Sequence, residues 1–89
     1  MIVKRKNRFI KSYQKLNRKI QDDFDEVYKK FIKNPFDPAL RNHALKWDYK
    51  WFRSIDVTGD FRVIFKEYPN WTYEFVDFTY IWTHSQFYR

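Results

Sequence analysis

The sequence predicts an α+β domain: an N-terminal helical hairpin packed on one face of a small antiparallel β-sheet. Three observations carry this reading. Apolar residues recur at helical spacing through the first third of the chain. From Trp47 onward the residues are largely β-formers. Between the two halves, Asn34-Pro35 and Pro38 interrupt any regular element.

The elements follow in order. Ile2 and Val3 are candidates for a short edge strand. Phe9, Tyr13, Leu16 and Ile20 recur at four, three and four residues, which puts them on one face of a first helix with Lys and Arg opposite. A second helix is expected to begin near Asp22-Asp23, whose carboxylates can cap free N–H groups and complement the helix dipole. Its stripe is Phe24, Val27, Tyr28, Phe31 and Ile32, and Asn34-Pro35 ends it. Tyr49, Trp51, Arg53, Ile55 and Val57 alternate as one face of a first long strand. Thr58-Gly59-Asp60 reads as a tight turn, with the chain's one glycine supplying a positive φ. Phe61–Glu67 is the next strand, Pro69-Asn70 the next turn, and Trp71 to about Trp82 the last strand. Two apolar helices must cover one face of this sheet, and the other face stays partly open. Phe9, Leu16, Phe24, Phe31, Val63 and Phe65 are the expected core. Trp47, Trp51 and Trp71 are expected to pack in the core or on the sheet surface.

Length and composition narrow the classes. Eighty-nine residues read as one domain, 1–89. So short a chain buries only about 60% of its unfolded surface. Large aromatics offset that limit, and 24% of the residues are Phe, Trp or Tyr. Cys is absent, which excludes disulfides and thiolate zinc sites and fits a reducing cytoplasm. No apolar run approaches a membrane span, and the first residues lack the apolar core of a secretory signal. The net charge of +7 is unevenly distributed. Residues 1–50 carry fourteen Lys/Arg against six Asp/Glu, and residues 51–89 carry four against five. The first twenty residues, which include Lys11, Lys15 and Arg18, hold eight basic side chains and no acidic one. Such a block attracts a polyanion, so nucleic acid or the ribosome is the expected partner.

The chemistry-bearing groups cluster late. Asp60 and Arg62 flank the turn, and His84 and Tyr88 close the chain. No nucleophilic Ser or Cys arrangement and no metal cluster competes with them. RNA can cleave itself when its 2′-OH is deprotonated and the departing 5′-oxygen is protonated. An enzyme for this needs a base, an acid and positive charge at phosphorus, with no metal or other cofactor. An imidazole suits proton transfer near neutrality, so His84 is the candidate acid. His43 is a candidate base or phosphate contact. Asp60 is a candidate base or a group that orients a histidine. Arg62 alternates with Phe61 and Val63 and points to the opposite face, where a guanidinium can hold phosphate. Its structural alternative is an ion pair with Glu74 or Asp77. Tyr88 can stack on a base or bond the phosphate. Lys46, Lys50 and Arg53 add backbone contacts.

Several short motifs then stand in a telling order. They are the basic Phe9–Leu16 helix, Phe31-Ile32-Lys33-Asn34-Pro35-Phe36-Asp37-Pro38, Leu40–Lys46, Arg53-Ser54-Ile55, Gly59–Phe65, and Thr83-His84 with Tyr88. Together they resemble the RelE/ParE superfamily of bacterial toxins, closest to its RelE/YafQ-like mRNA interferase branch. The resemblance covers nearly the whole chain. It implies the helix-hairpin-on-sheet fold and the toxin of a type II toxin–antitoxin pair. It also implies mRNA cleavage, usually on the ribosome, and a small antitoxin as partner, which the basic first helix and open basic surface favour as acidic. By this resemblance His43 matches the histidine before the first long strand and Asp60 the acidic turn residue. Arg62 matches the strand arginine, and His84 with Tyr88 the terminal histidine and aromatic of the active site. Two positions depart: Trp82 stands where the family usually has Gly, and Tyr80 where some members carry an arginine. The alternatives are a non-enzymatic DNA gyrase inhibitor like the ParE branch, or an RNA-binding relic that no longer cleaves.

Overall fold

The computed structural model describes residues 1–69 and 71–87. Strand β1 spans Ile2–Arg5, helix α1 Asn7–Lys15 and helix α2 Arg18–Lys33. Strand β2 is His43–Ala44, β3 Arg53–Asp56, β4 Phe61–Tyr68 and β5 Phe75–Thr83, and a last helical turn, α3, covers His84–Phe87. The five strands form one sheet in the order β1-β5-β4-β3-β2. β2 to β5 pair antiparallel, as expected, whereas the edge strand β1 joins β5 in parallel and makes the sheet mixed.

Both helices lie on one face of this sheet. Phe9 of α1 and Phe24 and Phe31 of α2 are fully buried against Ile55, Val63, Phe65, Val76, Phe78 and Ile81. Phe78 is the hub: the rings of Phe9, Phe24, Tyr28, Phe31 and Phe65 lie 5.5–6.0 Å from it. Edge-to-face contacts of this kind add to the area that each ring removes from water. The Arg5 guanidinium closes the rim of the cluster, 5.0 Å from the Phe24 ring and 5.1 Å from that of Tyr28. Leu16 belongs to the rim of this core and is only half-buried.

The first helix ends earlier than its stripe suggests. α1 stops at Lys15, and Asn17 begins α2 by accepting the Ile20 N–H at 3.0 Å on its side chain. Ile20 therefore belongs to α2, and Asp22 and Asp23 are not its caps. They sit one turn in and pair with Arg18 at 3.1 Å and Lys19 at 3.3 Å. The Gln21 side chain ties the corner by donating to the Tyr13 carbonyl at 2.9 Å. Asn34 ends α2, as expected.

Three further expectations change. Residues 47–49 form a single 3-10 turn rather than strand, and Trp47 has a φ of 60° that no strand accommodates. Trp47, Trp51 and Trp71 are 91%, 67% and 72% exposed, so none is a core residue. The turn at 57–60 contains no positive-φ glycine. It closes instead through Thr58, whose hydroxyl accepts from the Asp60 and Phe61 N–H groups at 3.2 and 3.0 Å. At the other hairpin the buried Glu67 carboxylate accepts from the N–H groups of Trp71 and Tyr73, so residues 71–74 form the turn and not the start of β5. No helix among the described residues is long and apolar enough to cross a membrane.

Candidate active site

With the helices on one face, the polar chemistry falls to the other. Arg62 pairs across β4 with Trp82 of β5 and across β3 with Asp56, and Ile64 pairs with Tyr80 and Ser54. Side chains two residues apart on a strand share a face, and directly paired residues face the same way. Asp56, Arg62, Ile64, Tyr80 and Trp82 thus line the face away from the helices. The register slips between Ile64 and Phe65, with Thr79 as the extra residue of β5, so Phe78 as well as Ile81 faces the core.

Arg62 does not pair with Glu74 or Asp77. Its Nε lies 3.7 Å from Asp56 Oδ1, and Arg41 Nη1 takes the other oxygen, Oδ2, at 3.5 Å. Both Arg62 and Asp56 side chains are mostly buried, at 17% and 18% exposure. A gap of 3.7 Å allows Coulomb attraction but is too long for a hydrogen bond. Arg62 Nε is accordingly a buried donor without a hydrogen-bond partner. Such a donor costs free energy until an acceptor reaches it.

His84 is fixed at the same end of the sheet by a reciprocal cap. The Thr83 hydroxyl accepts from the Gln86 N–H at 3.2 Å, while the Gln86 carboxamide oxygen accepts from the Thr83 N–H at 2.8 Å. This is the capping box of a Thr-x-x-Gln segment, and it sets His84 as the first residue of α3. The His84 N–H donates to the Asp60 carbonyl at 2.9 Å, which pins the histidine to the β3–β4 turn. Asp60 and His84 are both exposed. The residues expected to act together therefore divide. Asp60, Arg62 and His84 share one end of the sheet. His43 lies on the edge strand β2 opposite Ser54, with its Nδ1 2.8 Å from the Arg41 carbonyl oxygen. Two strands separate it from β5, a span of roughly 14 Å at the usual strand spacing. Tyr88 lies outside the described residues.

The expected backbone-binding cations also divide. Lys46 and Lys50 are exposed on either side of the 3-10 turn, with the Lys50 ammonium 5.1 Å from the Trp51 ring. Arg53 points to the helix side, because it pairs with Phe65. There it donates to Asn42 Oδ1 at 2.8 Å and lies 5.2 Å from the Trp71 ring. Lys11 and Lys15 are exposed on α1, whereas Arg18 opens α2 and is engaged with Asp22. Asp56, Arg41 and the Thr83/Gln86 box were not anticipated. The box has a readable signature in Thr-x-x-Gln; the Asp56–Arg62 pairing requires the strand register, which residue types alone do not supply.

Comparison of the sequence with family models and with curated proteins finds no match. Comparison of the structure finds clear ones. YafQ from E. coli strain BL21(DE3) superposes with a TM-score of 0.79 over 98% of this chain and 97% of its own, at 16% identity. This is the YafQ/YoeB toxin fold. A YoeB/ParE toxin from Agrobacterium tumefaciens follows at a TM-score of 0.74, 14% identity and 94% and 99% coverage. The E. coli DinJ-YafQ toxin–antitoxin complex matches at 0.71, 17% identity and 98% and 96% coverage. The fold is thus the one that the RelE/ParE resemblance implies.

Proposed function

We propose that the chain is the toxin of a type II toxin–antitoxin pair and acts as a metal-independent endoribonuclease on mRNA at the ribosome. The observation that carries this reading is the orphaned Nε of Arg62, a buried donor on β4 at the end of the sheet where the His84 N–H meets the Asp60 carbonyl. A phosphate oxygen supplies the acceptor that this donor lacks and the anion that its charge favours. The reaction follows from these groups. Asp60 takes the proton of the 2′-OH, and the 2′-oxygen bonds to phosphorus. Arg62 holds the charge that builds on the phosphoryl oxygens. His84 gives a proton to the 5′-oxygen as its bond to phosphorus breaks. The products are a 2′,3′-cyclic phosphate and a 5′-hydroxyl. His43, Lys46 and Lys50 serve flanking phosphates, and Tyr88 a base or phosphate.

The DinJ-YafQ and YoeB-YefM complexes among the structural neighbours support an antitoxin as the partner. An acidic segment folding onto the basic exterior fits the charge of this chain, and a cytoplasmic setting fits both partners. The test is expression of the wild type and of His84→Ala, with transcript ends mapped and their chemistry read. Cyclic-phosphate ends that fall about a hundredfold in His84→Ala support the reading. Wild-type protein that leaves transcripts intact while poisoning DNA gyrase would refute it in favour of the ParE-like alternative.

A further inference from the structure

Arg8 has no role in the reaction above, yet its position is unusual. It stands in the first turn of α1, on the helix side of the sheet. β1 ends at Arg5, opposite Phe78, so the edge of β5 away from β4 has no strand beside it from there to Thr83. The Arg8 side chain crosses that uncovered edge. Its Nη1 donates to the Tyr80 hydroxyl at 2.6 Å, and its guanidinium carbon is 5.2 Å from the Tyr80 ring centroid. No carboxylate among the described residues pairs with it, unlike Lys6, which holds Asp77 at 3.2 Å nearby. Arg8 is itself exposed.

The surface it reaches suits a nucleotide. Tyr80 and Trp82 stack at 3.9 Å between centroids and 27° between planes. Trp82 is the direct neighbour of Arg62, so Tyr80 is its diagonal neighbour, at roughly 7–8 Å in an antiparallel pair. Single-stranded nucleic acid is held by cations that track its backbone beside aromatic faces that take its bases. Both features occur here on one face, with two guanidiniums on either side of one aromatic stack.

We propose that Arg8, aimed by Tyr80, forms a second phosphate subsite for single-stranded RNA, next to the phosphate held by Arg62, with the Tyr80–Trp82 stack as its base platform. This rests on the RNA-cleaving reading. The competing role is a tether that fastens α1 to β5.

Arg8→Gln separates the two, because the carboxamide keeps a donor for the Tyr80 hydroxyl and loses the charge. Arg8→Ala removes both. The measurement is the affinity of purified protein for a short 2′-O-methyl oligoribonucleotide, which cannot be cleaved, titrated with salt, alongside Tm. Lys29→Gln, on exposed α2, is the control for general charge. In both Arg8 variants the slope of log K against log salt should shrink by about 0.7, the share of one phosphate contact on a single strand. Affinity at low salt should fall about tenfold, as for one charge-assisted hydrogen bond. A wild-type slope in Arg8→Gln, with or without a lowered Tm in Arg8→Ala, would overturn the subsite and leave a tether. An equal change in Lys29→Gln would overturn it as general electrostatics. In those cases wild-type cleavage persists and the parent reading stands. A wild type that neither binds nor cleaves RNA removes both.

Discussion

Asp56 holds the most informative single atom change in the site. Its carboxylate sits 3.7 Å from Arg62 Nε and 3.5 Å from Arg41 Nη1, so Asp56→Asn removes one charge from a three-member network while keeping its shape. At 3.7 Å and an effective dielectric of about 20, the Arg62 pair is worth about 4.5 kcal/mol of Coulomb energy. The cost of taking two mostly buried groups out of water offsets much of that. A net loss of about 1–3 kcal/mol follows for the variant, since Arg62 is left as a buried cation. For a domain of this size each kcal/mol moves Tm by about 4–8 °C. Asp56→Asn should therefore unfold at least about 4 °C lower.

Function should move the other way. The Asp56 carboxylate competes with an incoming phosphate for the same guanidinium. Its removal should tighten binding of an uncleavable oligoribonucleotide by about three- to tenfold, or about 0.7–1.4 kcal/mol. A double-mutant cycle with Arg62→Gln, read by denaturant unfolding, isolates the pair and should return about 1–3 kcal/mol of coupling. An unchanged Tm would show that the pair does not form. A loss of RNA affinity with folding intact would show that Asp56 aims Arg62 rather than competing for it, and would refute the reasoning.

Three further outcomes are expected. Gly59→Ala should be neutral or stabilising by about 0.4–1 kcal/mol in unfolding experiments, because Gly59 has no positive φ and an added Cβ meets no atom within 4 Å; a clear loss would restore the tight-turn reading. Burial holds the Tyr73 phenol above its ordinary value near 10, against a hydrogen bond from Asn42 that pulls it down. The folded state thus keeps the proton longer than the unfolded chain, so this stability is full below about pH 10 and is lost as pH rises through the folded value. Tyr73→Phe should flatten the alkaline fall of stability, and an unchanged profile would assign that fall elsewhere. Reversing Lys11, Lys15 and Arg18 to Glu should slow association with the antitoxin at low salt, with the difference fading as salt rises; stopped-flow rates that match the wild type throughout would make this surface a solvated face only.

The core was legible because its residues are large and their spacing is regular. Phe24 and Phe31 lie two turns apart on one face of α2, and Val63 and Phe65 share one face of β4, so period alone assigns them. The helix break at Leu16–Asn17 was hidden because the apolar stripe stays in phase across it: Ile20 continues the face of Leu16 on a different helix. The decisive signal was Asn17, a residue that favours an N-cap, but the paired carboxylates of Asp22 and Asp23 offered a stronger-looking start. Trp47 and Trp51 failed for another reason. Their aromatic side chains suit a strand, but the backbone at Trp47 turns left-handed, and composition does not report φ. The candidate site was legible in part. Arg62, Asp60 and His84, which the structure places at one end of the sheet, could be named from residue type and order, whereas Asp56 and Arg8 depend on register and on where β1 stops, both tertiary facts.

The two faces of the sheet explain how so small a domain can hold a charged candidate site outside its core. A chain of this length has little burial to spare, and the helix-facing side uses nearly all its large rings to form one cluster around Phe78. On the opposite side, among the described residues, Ile64 and its cross-strand partner Ser54 are fully buried, beside the ring network of Phe52, Tyr80 and Trp82. That partial cover lies over the centres of β4 and β5 and reaches Trp82, the direct cross-strand partner of Arg62. A candidate site carried on paired strands is positioned more precisely than one carried on loops. Charge follows the same division. Lys11 and Lys15 lie on α1, across the sheet from Arg62, so they can speed encounter with an anion without touching its reacting phosphate. Arg8 of α1 reaches Tyr80 on the other face, at the length of β5 that β1 leaves unpaired. The point where the parallel strand stops short is therefore where attraction at a distance passes into grip at the site.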